Sequence, residues 1–308
     1  MQKPRVAIFN DTHGWHSEQL TAAFAALGIE TVYSDLAFCR IDLSLPQRLY
    51  MPGFTDQLPD AVLVRGIAPG SLEQITLRMD VLHTLAELGV PVLNPANVIE
   101  LTVDKARTSL RLALAGLNTP PTWACEDRQQ AVDIIRRELA AGFSVVMKPL
   151  FGCQGKGIIR IDDLDQLDLI TPVGEAFYLQ RYVLPAEQGA WQDWRLMIID
   201  DQLVAAMSRR SGHWITNYAQ GAQCFAATVT DEMRDLALAA SRAVEAPYAG
   251  VDLIQDHNGR FSVLEVNSVP AWKGLFQATG ADIAGPIARM VARRIEKNQC
   301  RPIPDHAV

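Results

Sequence analysis

The chain has 308 residues, and its 28 Lys and Arg against 35 Asp and Glu give a formal charge of −7. Hydrophobic residues at 49% and charged residues at 20% are ordinary for a globular protein, which excludes disorder as the general state. The length suits two domains at about 150 residues each. The acidic balance speaks against a general nucleic-acid binder, and no apolar run reaches the roughly 18–20 residues of a membrane helix.

The first residues lead straight into a short apolar segment with no signal-peptide pattern. Five scattered cysteines, Cys39, Cys125, Cys153, Cys224 and Cys300, form no CxxC pair. Together these predict a cytoplasmic protein with reduced thiols and neither a zinc site nor a disulfide framework.

In chain order, strands are predicted over residues 5–10, 30–33, 61–66 and 90–94, with helices over 17–27 and 72–88. This alternation predicts a parallel, doubly wound sheet. A loop at 94–97 breaks the pattern and sets the first boundary: an N-terminal α/β domain over 1–97 and a second domain over 98–300, with lobes of 98–183 and 184–300. The second domain opens with one helix over 98–115, followed by an extended stretch at 119–123 and a helix over 128–140. Strands follow at 144–149, 157–161 and 177–183. The last third reads as antiparallel, with hairpins over 195–207 and 251–266 and a helix over 231–245 between them. A final amphipathic helix over 283–297 precedes a tail, 301–308, expected to be loose.

Three constellations carry chemistry. Phe151-Gly152-Cys153-Gln154-Gly155-Lys156-Gly157 lies between two strands, and its glycines let backbone N–H groups converge on an anion. It fits neither the dinucleotide fingerprint nor the Walker loop. A flexible flap over phosphates or a plain glycine-rich hairpin remains, and Lys148 on the preceding strand favours the flap. Second, a two-residue turn at Asn258-Gly259 would set Asp252 opposite Glu265, their Cβ atoms roughly 5 Å apart, with Asn267 on the same face. Facing carboxylates repel unless one protonates or a cation lies between them, and oxygen ligands suit Mg²⁺ or Mn²⁺. An exposed acidic patch and a glycosidase carboxylate pair are the alternatives; apolar flanks speak against the first, and the Asn and the flap against the second. Third, Lys105, Arg195, Arg209 and Arg210, with Asn217 in the loop beyond them, are ordinary surface residues singly but with Lys148 could line a basic cavity for an anionic ligand.

In order along nearly the whole chain, Val103-Asp104-Lys105, Val145-Val146-Met147-Lys148-Pro149, the glycine-rich loop, Gln180-Arg181-Tyr182-Val183, Asp193-Trp194-Arg195, Ser208-Arg209-Arg210, Gly250-Val251-Asp252 and Glu265-Val266-Asn267 resemble the RimK-type α-L-glutamate ligases of the ATP-grasp superfamily. That resemblance implies an ATP-grasp fold behind an N-terminal parallel-sheet domain. It implies that Lys105 and Lys148 hold ATP phosphates under a flap containing Gly152, Gln154, Gly155 and Gly157. Gln180, Arg181, Tyr182 and Val183 would meet adenine through the main chain, and Asp193 would reach the ribose. Asp252, Glu265 and Asn267 would ligate magnesium, and Arg195, Arg209, Arg210 and Asn217 would face the γ-phosphate or acyl phosphate. The sequence departs from the family in the loop 212–217, at Arg181 in place of an acidic residue, and in a longer segment at 185–191.

The implied reaction is ATP-dependent addition of L-glutamate to a carboxylate through an acyl phosphate, with no covalent protein nucleophile. Cys153 has no His partner nearby in sequence. The implied acceptor is a small cofactor of the tetrahydromethanopterin or methylofuran type, on the resemblance of the segments 10–16 and 64–70 to that branch. The alternatives are the C-terminus of a ribosomal protein, another amino-acid or peptide ligation, and a non-catalytic ATP-binding module. Trp15, Trp191, Trp214 and Trp272 could stack on an acceptor ring or be ordinary core residues, and Arg65 could hold a carboxylate at the edge of the first sheet. Neither nucleic acid nor membrane is an expected partner, and a homo-oligomer is left open.

Overall fold

The computed structural model describes residues 3–10, 13–152, 155–185, 189 and 191–300. The chain forms two compact units, one from Met1–Ile99, Val269–Lys273 and Asp282–Val308, the other from Glu100–Ser268 and Gly274–Ala281. Among the described residues no helix is long and apolar enough to cross a membrane.

The first unit is built on strands β1 (Arg5–Phe9) and β2 (Glu30–Ser34), which flank α1 (Trp15–Ala26). A small two-stranded ladder of β3 (Arg40–Ile41) and β4 (Leu49–Tyr50) follows, unmarked in the sequence pattern. Then come β5 (Ala61–Val64), α2 (Leu72–Glu87) and β6 (Val92–Leu93). The sheet runs β2-β1-β5-β6 with every pairing parallel, as the alternation predicts. Ala7, Phe9, Val62 and Val64 pack on Met79, Leu82 and Leu85 of α2. Period-two alternation leaves Val6, Ile8 and Leu63 for the other face, and all three are fully buried.

The second unit opens with α3 (Ala96–Val103) and α4 (Lys105–Leu114), the first of which begins in the other unit. The single helix predicted over 98–115 is therefore corrected. Asp104 leaves the helical region at φ −85°, ψ 102°, and its carboxylate caps α4 by accepting from the N–H groups of Ala106 and Arg107. A four-stranded antiparallel sheet contains β7 (Thr122–Cys125), β8 (Val145–Lys148), β9 (Ile159–Ile161) and β10 (Phe177–Arg181), in the order β7-β10-β8-β9. Helix α5 (Arg128–Ala140) covers one face, where Ala131, Val132 and Ile135 meet Val145, Met147 and Leu179. The intervening residues, Lys148 and Gln180 among them, point to the other face.

A five-stranded antiparallel sheet follows, ordered β13-β12-β11-β14-β15. Its strands are β11 (Trp191–Ile199), β12 (Gln202–Ser211), β13 (Gln223–Ala226), β14 (Tyr248–Gln255) and β15 (Phe261–Asn267). Helix α6 (Asp231–Ala243) packs on it, burying Met233, Ala237 and Ala240. Short α7 (Lys273–Thr279) was not foreseen. The last helix, α8 (Ala284–Gln299), packs on α1 and buries Ile287, Val291 and Ile295. Residues from Asp282 onward therefore group with the first unit, which corrects the predicted extent of the second domain at its end. The tail 301–308 lies outside the described residues.

The β14–β15 hairpin pairs Asp252 with Glu265, as predicted, by a different route. The turn has three residues between Asp256 and Arg260, and Gly259 occupies the left-handed region at φ 81°. Near the turn, Gln255 faces Phe261 and Leu253 faces Val263, one residue away from the register of a two-residue turn. A bulge at Leu264 then restores that register, because two residues on β15 span one step on β14.

Candidate functional site

Strand alternation places Asp193 and Arg195 of β11, Arg209 of β12, Asp252 of β14 and Glu265 of β15 on one face of the five-stranded sheet. Their charges form a ladder. Asp252, 1% exposed, accepts a bidentate pair from Arg195 at 2.7 Å on each oxygen. Arg209 adds a bond to Asp252 Oδ2 at 2.9 Å and makes its own bidentate pair with Asp193 at 2.7 and 2.6 Å. Thr216 Oγ1 donates to Asp193 Oδ2 at 2.7 Å, and Arg195 Nη2 lies 3.9 Å from Glu265 Oε1.

Burial resists ionisation of Asp252, but Arg195 and Arg209 outweigh it and hold its carboxyl well below the usual range. Burial pushes Asp193 up, against Arg209 and the Thr216 hydroxyl. Burial likewise disfavours the Arg209 charge, yet the two aspartates hold it firmly protonated. Asp193 is therefore committed to Arg209 and Thr216, which corrects its expected reach to a ribose. Thr216 was missed because a lone threonine in a loop carries no sequence signal.

Lys148 Nζ donates to Gln180 Oε1 at 2.7 Å, and Gln180 is held in turn by Thr122 Oγ1 at 3.0 Å. Burial lowers the Lys148 pKa to about 8, with Glu265 and Asp252 pulling it up and Lys105 pushing it down. Those electrostatic partners bring the two lysines and the two carboxylates into one neighbourhood. Lys105, the first residue of α4, donates to Gly152 O at 2.7 Å and so holds the base of the glycine-rich loop. Gly155 sits at φ 72°, where a side chain would be strained, and a Cβ there would lie 2.6 Å from Asn217 Oδ1 and 3.1 Å from Ile215. At Gly157, at φ 70°, a Cβ would lie 3.1 Å from Pro149. The flap and the 212–217 loop thus meet. Gln154 and Cys153 lie outside the described residues.

Other expected members stand apart. Arg210 points to the opposite face of β12, pairs with Gln192 at 3.0 Å and stacks over Phe225. That corrects its expected place beside Arg209, since neighbours on a strand face opposite ways. The Arg181 side chain is taken by buried Glu138 of α5 at 2.7 Å and lies over Phe143. The N–H groups of Arg181 and Tyr182 donate to Pro121 O and Ser144 O. The Tyr182 hydroxyl accepts from Trp191 at 2.9 Å, and Arg160 covers the tyrosine ring. Val183, half-buried, follows the strand end. Asn267 Nδ2 lies 3.1 Å from Glu265 Oε1, which joins the amide to the hairpin's carboxylate pair.

Residues 102–291 match the RimK-like ATP-grasp domain. The chain is 34% identical over 255 residues to the tetrahydromethanopterin:alpha-L-glutamate ligase of Methanocaldococcus jannaschii, covering 80% of this chain and 84% of that protein. It is 30% identical over 219 residues to the ribosomal protein bS6–L-glutamate ligase of Shigella flexneri, covering 69% and 71% of the two. The ATP-grasp ligase PsnB, solved with a minimal precursor, Mg and ADP, superposes with a TM-score of 0.72 at 21% identity over 95% of this chain and 98% of PsnB. That likeness shows the ATP-grasp fold. With a family match over more than half its length, the chain belongs to the RimK-like ATP-grasp family, whose members are ATP-dependent carbon–nitrogen ligases.

Proposed function

We propose that this chain joins L-glutamate to a carboxylate on a small cofactor of the tetrahydromethanopterin type, through an acyl phosphate made from ATP. One observation carries the reading: two lysines and a glycine-rich flap share a neighbourhood with a buried Asp–Arg–Asp ladder that ends at the half-buried Glu265–Asn267 edge. The cofactor acceptor is favoured over a ribosomal protein by the longer match to the methanopterin ligase, 84% of its length against 71% of the bS6 enzyme.

The donor set fits magnesium. The candidate ligands are the facing carboxylates of Asp252 and Glu265 and the amide of Asn267, which offer oxygen donors. Three of the roughly four lone-pair positions of Asp252 are used by guanidinium N–H groups, which leaves one for a cation. Glu265 is a third exposed, and half a turn of the Asn267 amide presents its oxygen. Bound there, Mg²⁺ would neutralise phosphate charge.

The protein's own residues do the rest. Lys148 and Lys105 attract the ATP phosphates, and the flap closes over them with backbone N–H groups. Arg195, 13% exposed and fixed by Asp252, stands at the edge of the ladder where a phosphoryl group in transfer can meet it. Arg209, 3% exposed and bonded on both sides, positions Asp252. An N–H donor to adenine has to come from Val183 onward, because those of Arg181 and Tyr182 are spent on Pro121 and Ser144. A carboxylate resists amine attack, and phosphorylation supplies the leaving group that lets the glutamate amine displace it. Retention of Asp252, Glu265 and Asn267 together argues against a non-catalytic ATP-binding module.

The test is phosphate release from ATP across a panel of amino acids and carboxylate acceptors, with mass spectrometry of the products. Release should require both L-glutamate and the methanopterin-type acceptor. Turnover only with a bS6 C-terminal peptide removes the cofactor acceptor, and ATP binding without turnover on any pair removes the ligase.

The Lys148 pKa of about 8 gives a signed pH dependence. Its ammonium is lost as pH rises, so ATP affinity of the metal-free protein should fall from roughly pH 7 to 9, with proton uptake on binding in that window. Calorimetry in buffers of different ionisation enthalpy measures both. Lys148→Met should weaken ATP by about tenfold or more and flatten the pH profile; an unchanged affinity removes Lys148 from the phosphate site.

A further inference from the structure

The first unit holds a cation whose hydrogen-bonding capacity is largely unspent. Arg65 follows β5 at the C-terminal edge of the parallel sheet, and its backbone N–H donates to Phe9 O at the end of β1. Nη2 donates to Pro270 O at 2.8 Å, and the guanidinium lies over the Trp272 ring at 4.4 Å. Nε and Nη1 are out of contact with solvent and have no hydrogen-bond partner. No carboxylate pairs with Arg65 among the described residues. A guanidinium N–H buried without an acceptor bears its full desolvation cost, so such a group is rare unless an acceptor arrives from elsewhere.

The surroundings reinforce the sign. His16, in the first turn of α1, accepts the backbone N–H of Trp272 on Nε2 at 3.1 Å, and the two rings meet edge to face at 4.6 Å. Burial first, then Arg65 and Lys273, lower the His16 pKa to about 4, so the imidazole stays neutral beside two cations. Helix α1 starts at Gly14 with no side-chain cap, and its positive end adds to the same potential. The edge of an open parallel sheet beyond its strand C-termini is where such folds take ligands. Trp272, 1% exposed with Arg65 on one face, is a platform for the guanidinium and not for an acceptor ring, which corrects the stacking role the sequence left open for it.

We infer that Arg65 and the N-terminal turn of α1 form an anion subsite that takes a carboxylate or phosphate of the acceptor, separate from the carboxyl group that is activated. The inference rests on the ligase reading for the name of its ligand, and on Arg65 alone for the existence of the site. Nε and Nη1 are covered, so anion entry requires their cover to move.

The test has two arms on the full-length protein with Mg²⁺ and ADP present. In the first, glutarate and, separately, inorganic phosphate are titrated while NMR follows the Arg65 Nε–H and Trp272 indole N–H signals, assigned by their loss in Arg65→Met and Trp272→Phe. Saturable shifts with glutarate alone indicate a carboxylate, with phosphate alone a phosphate, and with both a general anion site; each supports the subsite. In the second arm, Arg65→Met should raise KM for the acceptor about ten- to a hundredfold and leave KM for ATP unchanged. Arg65→Lys, which keeps the charge and is the safer variant to fold, should raise it less. Absence of any shift with both anions, or an unchanged acceptor KM in both variants, overturns the subsite. Failure of every acceptor in the activity screen would remove the ligase reading and still leave the NMR titration to decide the anion site.

Discussion

Replacing Arg209 with methionine is expected to cost about 3–5 kcal/mol of folding stability at neutral pH, because it strands charges that its guanidinium now pairs. Asp193 would keep only the Thr216 hydroxyl, and Asp252 only Arg195, and both carboxylates are almost wholly buried. The pH dependence carries the diagnosis. In the native protein the depressed pKa of Asp252 contributes stability that is present above the ordinary aspartate value near pH ~4 and is lost as pH falls through the folded value. In the variant Asp193, already pushed up by burial, rises further, and the folded state takes up a proton more readily than the unfolded chain. Acid therefore favours the folded variant, and its deficit against wild type should narrow as pH falls from neutrality toward the ordinary aspartate range. Guanidinium chloride unfolding across that range measures it. A deficit below about 1 kcal/mol that does not change with pH would mean that the aspartates do not depend on this arginine.

The same ladder marks where sequence reading works and where it stops. Period-two alternation is enough to put Asp193, Arg195, Asp252 and Glu265 on one face and to send Arg210 away from Arg209, although position beside Arg209 in sequence suggested otherwise. It does not say which carboxylate meets which guanidinium, because that depends on strand order, and order β12-β11-β14 is a long-range property. Asp193 looked free for a ribose for this reason. The Asp252–Glu265 pairing was legible only because two local deviations cancel: a three-residue turn shifts the register by one, and the Leu264 bulge shifts it back. The parallel sheet of the first unit was plain from its buried runs, whereas β3, β4 and α7 are too short for periodicity to register. Asp104 shows the opposite case. Its capping chemistry was readable from residue type, but the apolar spacing on both sides outweighed it and made two helices look like one. Arg65 was visible as a residue at a sheet edge; that two of its nitrogens lack partners is a fact of packing alone.

Replacing Glu265 with glutamine is expected to reduce ATP-dependent phosphate release by at least about 10²–10³-fold while leaving the fold intact. The contrast with Arg209 follows from position. The Glu265 side chain is a third exposed, its contact with Arg195 is long at 3.9 Å, and its amide neighbour Asn267 can bond to glutamine as well. Loss of one such charge should change stability by less than about 1 kcal/mol. The chemical loss comes from two directions. The carboxylate is far more accessible than that of Asp252, 33% against 1%, so metal-supported neutralisation of the phosphates should fail without it. It is also the strongest influence holding up the Lys148 pKa, which stands at about 8. In the variant Lys148 should therefore deprotonate at lower pH, and ATP affinity at pH ~8 should drop even without magnesium. Raising the magnesium concentration would restore neither effect fully, since one is a lost ligand and the other a lost proton. Phosphate release, ATP binding with and without Mg²⁺, and chemical denaturation together separate the two. Release within about tenfold of wild type would remove Glu265 from the metal site; a large stability loss would instead make it part of the structural ladder with Asp252 and Arg209.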